Sequence, residues 1–232
     1  MILNFKHFLT QLENYFFPEH CLACRKVGSL FCPACRISIK TSTPRCSFCA
    51  SKSILGLICS DCHQNNNDYP IDGVFAYGIY EQIILKNALR ALKFQGLRSV
   101  GLILGRMLGR KLLNQWHKYK LNHLNNELPD PIIVALPLHR RRQRERGFNQ
   151  VQLIAQGVSE ICGWRIDNNL RRKSYQKKKF LYSSTEDLQG QTIILIDDVF
   201  ITGATSCAAA LALKQAGAGM IIVAVVAQAV NN

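Results

Sequence analysis

No stretch of the 232 residues approaches the roughly 18 consecutive apolar positions of a membrane-spanning helix. The longest apolar run, Met220 to Ala227, has the length and β-branching of a buried strand. No secretory leader is expected from the opening MILNFKHFLTQLENYFF, which breaks its apolar residues with Asn4, Lys6, His7, Gln11 and Glu13. Acidic residues are scarce: 15 Asp+Glu stand against 29 Lys+Arg, a formal charge of +14. That balance favours phosphate-bearing partners or anionic surfaces over acidic proteins. There is no internal repeat beyond a set of cysteine pairs, and no GK[ST] of a Walker loop. What remains is a chain with an apolar share of 48%, too hydrophobic for disorder and long enough for one ordinary domain plus a small module. A cytoplasmic, reducing location with no membrane span is the expectation.

Cysteine is plentiful and unevenly placed, with eight of the ten lying before residue 63 as four CxxC pairs: Cys21/Cys24, Cys32/Cys35, Cys46/Cys49 and Cys59/Cys62. In a reducing compartment a disulfide framework is a poor explanation, and the short segments between the pairs need a staple to fold. Two CxxC turns supply the four thiolates of one closed tetrahedral zinc site, so eight make two structural Zn²⁺ sites. Sequential pairing joins Cys21, Cys24, Cys32, Cys35 and then Cys46, Cys49, Cys59, Cys62, and costs the least loop closure. A cross-braced pairing of first with third and second with fourth is the alternative. His20 and His63 flank the pairs without being needed as ligands, and Cys162 and Cys207 read as packed thiols in helices.

The chain divides into an amphipathic helix over 1–18, a double ribbon over 19–64 and a larger domain over 70–232, with Gln64 to Asp68 as the linker. Past the linker, Ile71 to Tyr80 reads as a strand, followed by helical stretches through Lys93 and from Ser99 to about Trp116. IIVALPL after Pro131 reads as a buried strand and Asn149 to Ile161 as a helix; TIILIDD, Ala204 to Ala216 and MIIVAVVAQA repeat the alternation. That order implies an α/β fold with a mostly parallel sheet.

The most informative stretch is IILIDDVFITGAT, Ile193 to Thr205. A buried strand brings Asp197 and Asp198 to its carboxyl end, where ligands of open parallel sheets bind. Thr202 and Thr205 offer hydroxyls, Gly203 and Ala204 permit close backbone approach, and the next helix presents its N–H groups, so a phosphate fits there. Carboxylates repel phosphate, which makes sugar hydroxyls their natural targets and a ribose 5-phosphate the natural ligand.

This pattern resembles the ribose-phosphate signature of type I phosphoribosyltransferases, enzymes that use phosphoribosyl pyrophosphate (PRPP) with Mg²⁺. LKFQG at Leu92 to Gly96, ALPLHRRRQRERGFNQ at Ala135 to Gln150 and the CxxC pairs are similar to the ComF/GntX-type competence proteins. The resemblance covers nearly the whole chain. It implies a double zinc ribbon joined to a type I phosphoribosyltransferase-like sheet, and a cytoplasmic role in bringing incoming single-stranded DNA to the chromosome in natural transformation. It also implies two departures. RRKSYQKKKFLYSSTEDLQG keeps only Gln176 and Phe180 of the family's pattern, which shortens the hood over the site. Ile201 stands where several transferases place a polar residue that handles an acceptor's proton.

Two basic runs complete the reading. Arg140, Arg141, Arg142, Arg144 and Arg146 follow IIVALPL at the edge of the sheet that carries the phosphate loop; Arg144 and Arg146 suit a diphosphate or successive DNA phosphates. Arg171, Arg172, Lys173, Lys177, Lys178 and Lys179 interleave with Tyr175, Phe180 and Tyr182, a composition that suits single strands. His139 is the one candidate for proton transfer. Three functions compete: a DNA and ribose-phosphate binder, an active Mg²⁺-dependent phosphoribosyltransferase with Asp197 and Asp198 on the ribose, and a scaffold whose ribbons dock a helicase or recombination protein.

Overall fold

The computed structural model describes residues 18–66, 68–122, 128–173, 179–184 and 188–229. The expected helix over 1–18 lies outside them, Pro18 excepted. The cysteine-rich segment holds two single helical turns, α1 (Pro33–Ile37) and α2 (Ser60–Gln64). The remainder runs β1 (Gly73–Ile79), α3 (Ile83–Phe94), α4 (Arg98–Asn122), β2 (Ile132–Ala135), α5 (Arg140–Arg146), α6 (Gln150–Cys162) and β3 (Ile166–Asp167). Then follow β4 (Leu170–Arg172), β5 (Phe180–Tyr182), β6 (Thr192–Phe200), α7 (Ala204–Gln215) and β7 (Met220–Gln228).

The alternation of strand and helix produces a five-stranded sheet in the order β1-β7-β6-β2-β3, every pair parallel. Ile193 to Ile196 and Ile221 to Ala227 are wholly buried, which is why these strands read as continuous apolar runs. β2 is shorter than IIVALPL suggests: Pro137 carries no N–H for a ladder, and the chain leaves the sheet after Ala135. α4 is longer than expected at 25 residues, because its last turn is polar outside but anchored by Tyr119 stacked on Trp116 at 5.4 Å and by Lys120 paired with Asp130 at 3.1 Å. β4 and β5 form a separate antiparallel hairpin against α7.

α4 and α6 pack backbone to backbone. A Cβ at Gly105 would fall 2.1 Å from the Ile154 carbonyl oxygen, and one at Gly157 would fall 2.4 Å from that of Leu102. The four-residue spacing of Gly101, Gly105 and Gly109 puts them on one face of α4, where they make room for α6.

The cysteine-rich segment does not stand apart. Leu22, Leu30, Phe31 and Ile39 join the core of the sheet domain across the expected linker. Isolated antiparallel bridges, Leu57 with Gly73 and Thr41 with Gly78, lay it along the outer edge of β1. Gly56 makes this approach possible: it adopts φ +71°, and a Cβ there would sit 1.9 Å from the Val74 carbonyl oxygen. Lys111 on α4 closes the junction. Its Nζ donates to the Ser42 carbonyl of the ribbon and, at 3.1 Å each, to the Ala76 and Tyr77 carbonyls of β1, and it lies 5.4 Å from the Phe75 ring centroid. Burial pushes its ammonium down from 10.5 to about 8.

Two predictions follow from this packing. Gly157→Ala overpacks the α4–α6 contact and is expected to lower stability by about 1–3 kcal/mol in chemical denaturation. For Lys111, the folded value lies below the unfolded one, so between pH 8 and 10.5 the unfolded chain binds the extra proton. Wild type therefore gains stability relative to Lys111→Met as pH rises through that window, and denaturation midpoints compared at pH 7 and 10 measure the gain.

Candidate functional site

β6 ends at Phe200, and the turn Ile201–Thr202–Gly203 delivers the chain into α7. Gly203 is required twice over: its φ is +70°, and a Cβ would lie 2.6 Å from the Phe200 ring. No side chain caps α7, so the N–H groups of its first turn, from Ala204 onward, remain available at the carboxyl end of the sheet. Thr202 is exposed and Thr205 half-buried.

The two aspartates point to opposite faces of β6, as neighbours on a strand must. Asp198 is buried against α3 and α6, where its Oδ2 receives Lys93 Nζ at 2.9 Å and Gln150 Nε2 at 3.0 Å. Asp197 lies on the α7 face beside Ser206 and accepts the Asp198 N–H at 2.7 Å. Burial and the neighbouring Asp198 carboxylate push Asp197 up to about 8, so at neutral pH it holds a proton. The pair is thus one ion-paired carboxylate and one acid held toward its neutral form, facing apart. Among the described residues the groupings able to hold a metal are both made of cysteine.

The sequence RGFNQ builds the wall beside Asp198 residue by residue. Gly147 ends α5 in the left-handed conformation, the Phe148 ring receives the Arg98 guanidinium at 5.0 Å, Asn149 caps α6 through the Val151 N–H, and Gln150 reaches Asp198. His139 caps the other end of α5, its Nδ1 accepting the Arg141 N–H at 3.2 Å.

α5 sorts the first basic run by face. Arg142 and Arg146, one turn apart, line a hollow with Lys93, Phe94 and Phe148, and Arg146 lies 5.6 Å over the Phe94 ring. Arg144 instead shares a separate hollow with Arg140, so the structure does not bring Arg144 and Arg146 together. Arg141 pairs with Glu145 at 3.0 Å. In the second run, Arg171 and Lys173 are exposed, Arg172 stacks on Phe180 at 5.5 Å and the Lys173 N–H bonds the Lys179 carbonyl; Tyr175, Gln176, Lys177 and Lys178 lie outside the described residues. Lys93, Gln150 and Ser206 were not assigned roles by sequence reasoning. The only signal for the first two was their place in LKFQG and RGFNQ.

The cysteines gather as Cys21, Cys24, Cys32, Cys35 and as Cys46, Cys49, Cys59, Cys62, all sulfurs of each set within 4.8 Å of one another. This is the sequential pairing. Zn–S bonds of about 2.3 Å place the sulfurs of a tetrahedron about 3.8 Å apart. Cys24 and Cys32 are 3.6 Å apart, as are Cys49 and Cys59, so the donor sets fit structural zinc. The thiols share protons unevenly: bonds from Cys24 and Cys32 push Cys35 up to about 12, while the Ser51 hydroxyl and N–H hold Cys49 down to about 6. His20 and His63 join neither set. Purified protein is expected to carry two zinc ions per chain by elemental analysis, and Cys49→Ser to carry about one.

A family model described as a double zinc ribbon domain matches residues 12–63. The DNA utilization protein YhgH of Escherichia coli K12 is 29% identical over 225 residues, covering 88% of this chain and 94% of that one. Competence protein ComFC of Bacillus subtilis is 25% identical, covering 80% and 78%, and competence protein F of Haemophilus influenzae is 26% identical, covering 82% and 88%. A hypoxanthine phosphoribosyltransferase from Staphylococcus aureus superposes on 56% of the chain with a TM-score of 0.36 and 11% identity, too loosely to carry an argument. The relatives align along most of their length, and the chain, with a ribbon at the amino-terminal side and a parallel α/β sheet behind it, is similar over most of its length to competence and DNA-utilization proteins.

Proposed function

We propose that this protein acts in the cytoplasm during natural transformation, holding incoming single-stranded DNA and binding PRPP or a related ribose phosphate at the carboxyl end of its sheet. The observation that carries this reading is the convergence at one sheet end of an uncapped helix N-terminus, an acid pair and a layer of cations. A 5-phosphate is matched to the N–H groups of α7 and the hydroxyls of Thr202 and Thr205. Ribose hydroxyls are matched to Asp198, an ionised acceptor, and to Asp197, which as a neutral acid both accepts and donates. Arg142, Arg146 and Lys93 are matched to the diphosphate or to strand phosphates, and the exposed Phe94 ring beside Arg146 to an unstacked base. Mg²⁺ would enter as part of the PRPP complex, neutralising its diphosphate, rather than as an ion held by the protein.

Binding is favoured over transfer because the turn that would face an acceptor carries Ile201, apolar and 57% exposed, and His139 is engaged as a helix cap. The test is anisotropy of labelled single-stranded DNA against salt, with and without Mg²⁺–PRPP. If the five arginines of 140–146 and Lys93 neutralise about six phosphates, the log–log salt slope is about −4. Arg142→Gln with Arg146→Gln is expected to reduce that slope by about 1.4. Gly203→Ala is expected to abolish the PRPP effect while leaving DNA affinity within about twofold. A slope near zero refutes DNA binding, and product release from PRPP with an added base would establish the transferase instead.

A further inference from the structure

We propose that the ribbon forms half of a base pocket, so that a nucleoside 5′-phosphate unit binds with its phosphate on the Ile201–Thr205 turn and its base between ribbon and sheet. The inference rests on the phosphate reading of that turn. A cavity of about 530 Å³ opens between the ribbon segment Ser42–Phe48 and the end of the sheet, and Ile201 and Thr202 line it directly. It is therefore continuous with the anion turn. Sheet register places it on the correct side: Ala76, Val225 and Asp197 lie in line across β1, β7 and β6, so the cavity lined by Ala76 is on the face of Asp197 and α7.

The lining has the chemistry of a base site. Phe48 of the ribbon and Tyr69 meet edge to face at 5.3 Å and 78°. Tyr69 is half-buried, and its hydroxyl lies beside Cys207 on α7, the helix that follows the phosphate turn. Arg45, steadied by its donation to the Ala50 carbonyl at 2.8 Å, and Gln228 at the end of β7 supply polar groups for a base edge. The volume lies within the roughly 300–1,000 Å³ of small-molecule sites, and flat rings with a few polar groups match a nucleobase. A bare ribose phosphate would leave this space unused. Free nucleotide and the terminal unit of a 5′-phosphorylated strand present the same chemistry.

Calorimetric titration separates the possibilities, using ribose 5-phosphate, the four deoxynucleoside 5′-monophosphates, and short single strands with 5′-phosphate or 5′-hydroxyl ends. Stacking on aromatic side chains predicts that the monophosphates bind about tenfold to a hundredfold tighter than ribose 5-phosphate. Phe48→Ala, at a side chain 44% exposed, is expected to cancel that advantage with zinc content unchanged. Gln228→Trp, which fills the cavity from the end of β7 and adds no charge beside the phosphate turn, is expected to do the same and decides the matter if the ribbon variant loses zinc. Monophosphates no tighter than ribose 5-phosphate, or an advantage that survives both substitutions, overturn the pocket and leave the phosphate turn standing. Binding by neither overturns the phosphate reading itself. A preference for 5′-phosphorylated over 5′-hydroxyl strands assigns the pocket to strand ends; tight monophosphates without that preference assign it to free nucleotide.

Discussion

The sheet ends at β1, and an exposed strand edge is a row of unpaired backbone groups that must be covered. Here the cover is the ribbon, bridged at both Leu57–Gly73 and Thr41–Gly78. Coverage at this range requires a residue without a side chain, which is why Gly56 faces the Val74 carbonyl. It also requires a cation for converging carbonyls, which Lys111 supplies from α4. A module with little core of its own thereby gains a fixed position. Its second cysteine set begins two residues after Pro44, so the sulfur cluster that shapes Cys46–Cys49 also shapes the wall facing Thr202. The second cysteine set, the sheet edge and the turn after β6 are mechanically one unit.

On the proposed reading the acid pair solves a problem of charge. Two ionised carboxylates beside a phosphate would oppose it, yet sugar hydroxyls call for carboxyl groups. Facing the pair to opposite sides of β6 lets each be treated separately: Lys93 and Gln150 neutralise and hold Asp198, while burial and the Asp198 charge keep Asp197 protonated. The net charge presented by Asp197, Asp198 and Lys93 together is near zero, with hydrogen-bonding capacity retained. Residues that sequence reading passes over perform this balancing.

What was legible follows from what is local. The strands at 192–200 and 220–228, the glycine of the turn after β6 and the eight cysteines are signalled by contiguous residues, and the structure has the strands, the left-handed glycine and the two cysteine sets at those positions. Non-local contacts were illegible. Lys93 meets Asp198 across 105 positions of chain only because the fold brings the last turn of α3 to the carboxyl end of β6, and nothing in LKFQG names its partner. Arg144 and Arg146 look equivalent in RRRQRER until the helical period turns them to different faces. The cavity beside Phe48 belongs to neither ribbon nor sheet, and arises from their docking alone. Gly101, Gly105 and Gly109 were a signal of close helix packing, visible as a four-residue spacing but without an indicated partner.

On the proposed reading, the shared cation decides how the two halves of the site communicate. Lys93 is partly accessible, reaches Asp198 on one side and lines the arginine hollow on the other. A ribose hydroxyl that donates to Asp198 competes with Lys93 for the same oxygen, and a phosphate in the hollow competes with Asp198 for the same ammonium. Each ligand therefore weakens the contact that resists the other. Sugar on β6 and phosphate along α5 favour one another through a single ion pair, with no movement of the fold. By linkage the preference is reciprocal: whatever ribose phosphate does for strand affinity, the strand does for ribose phosphate.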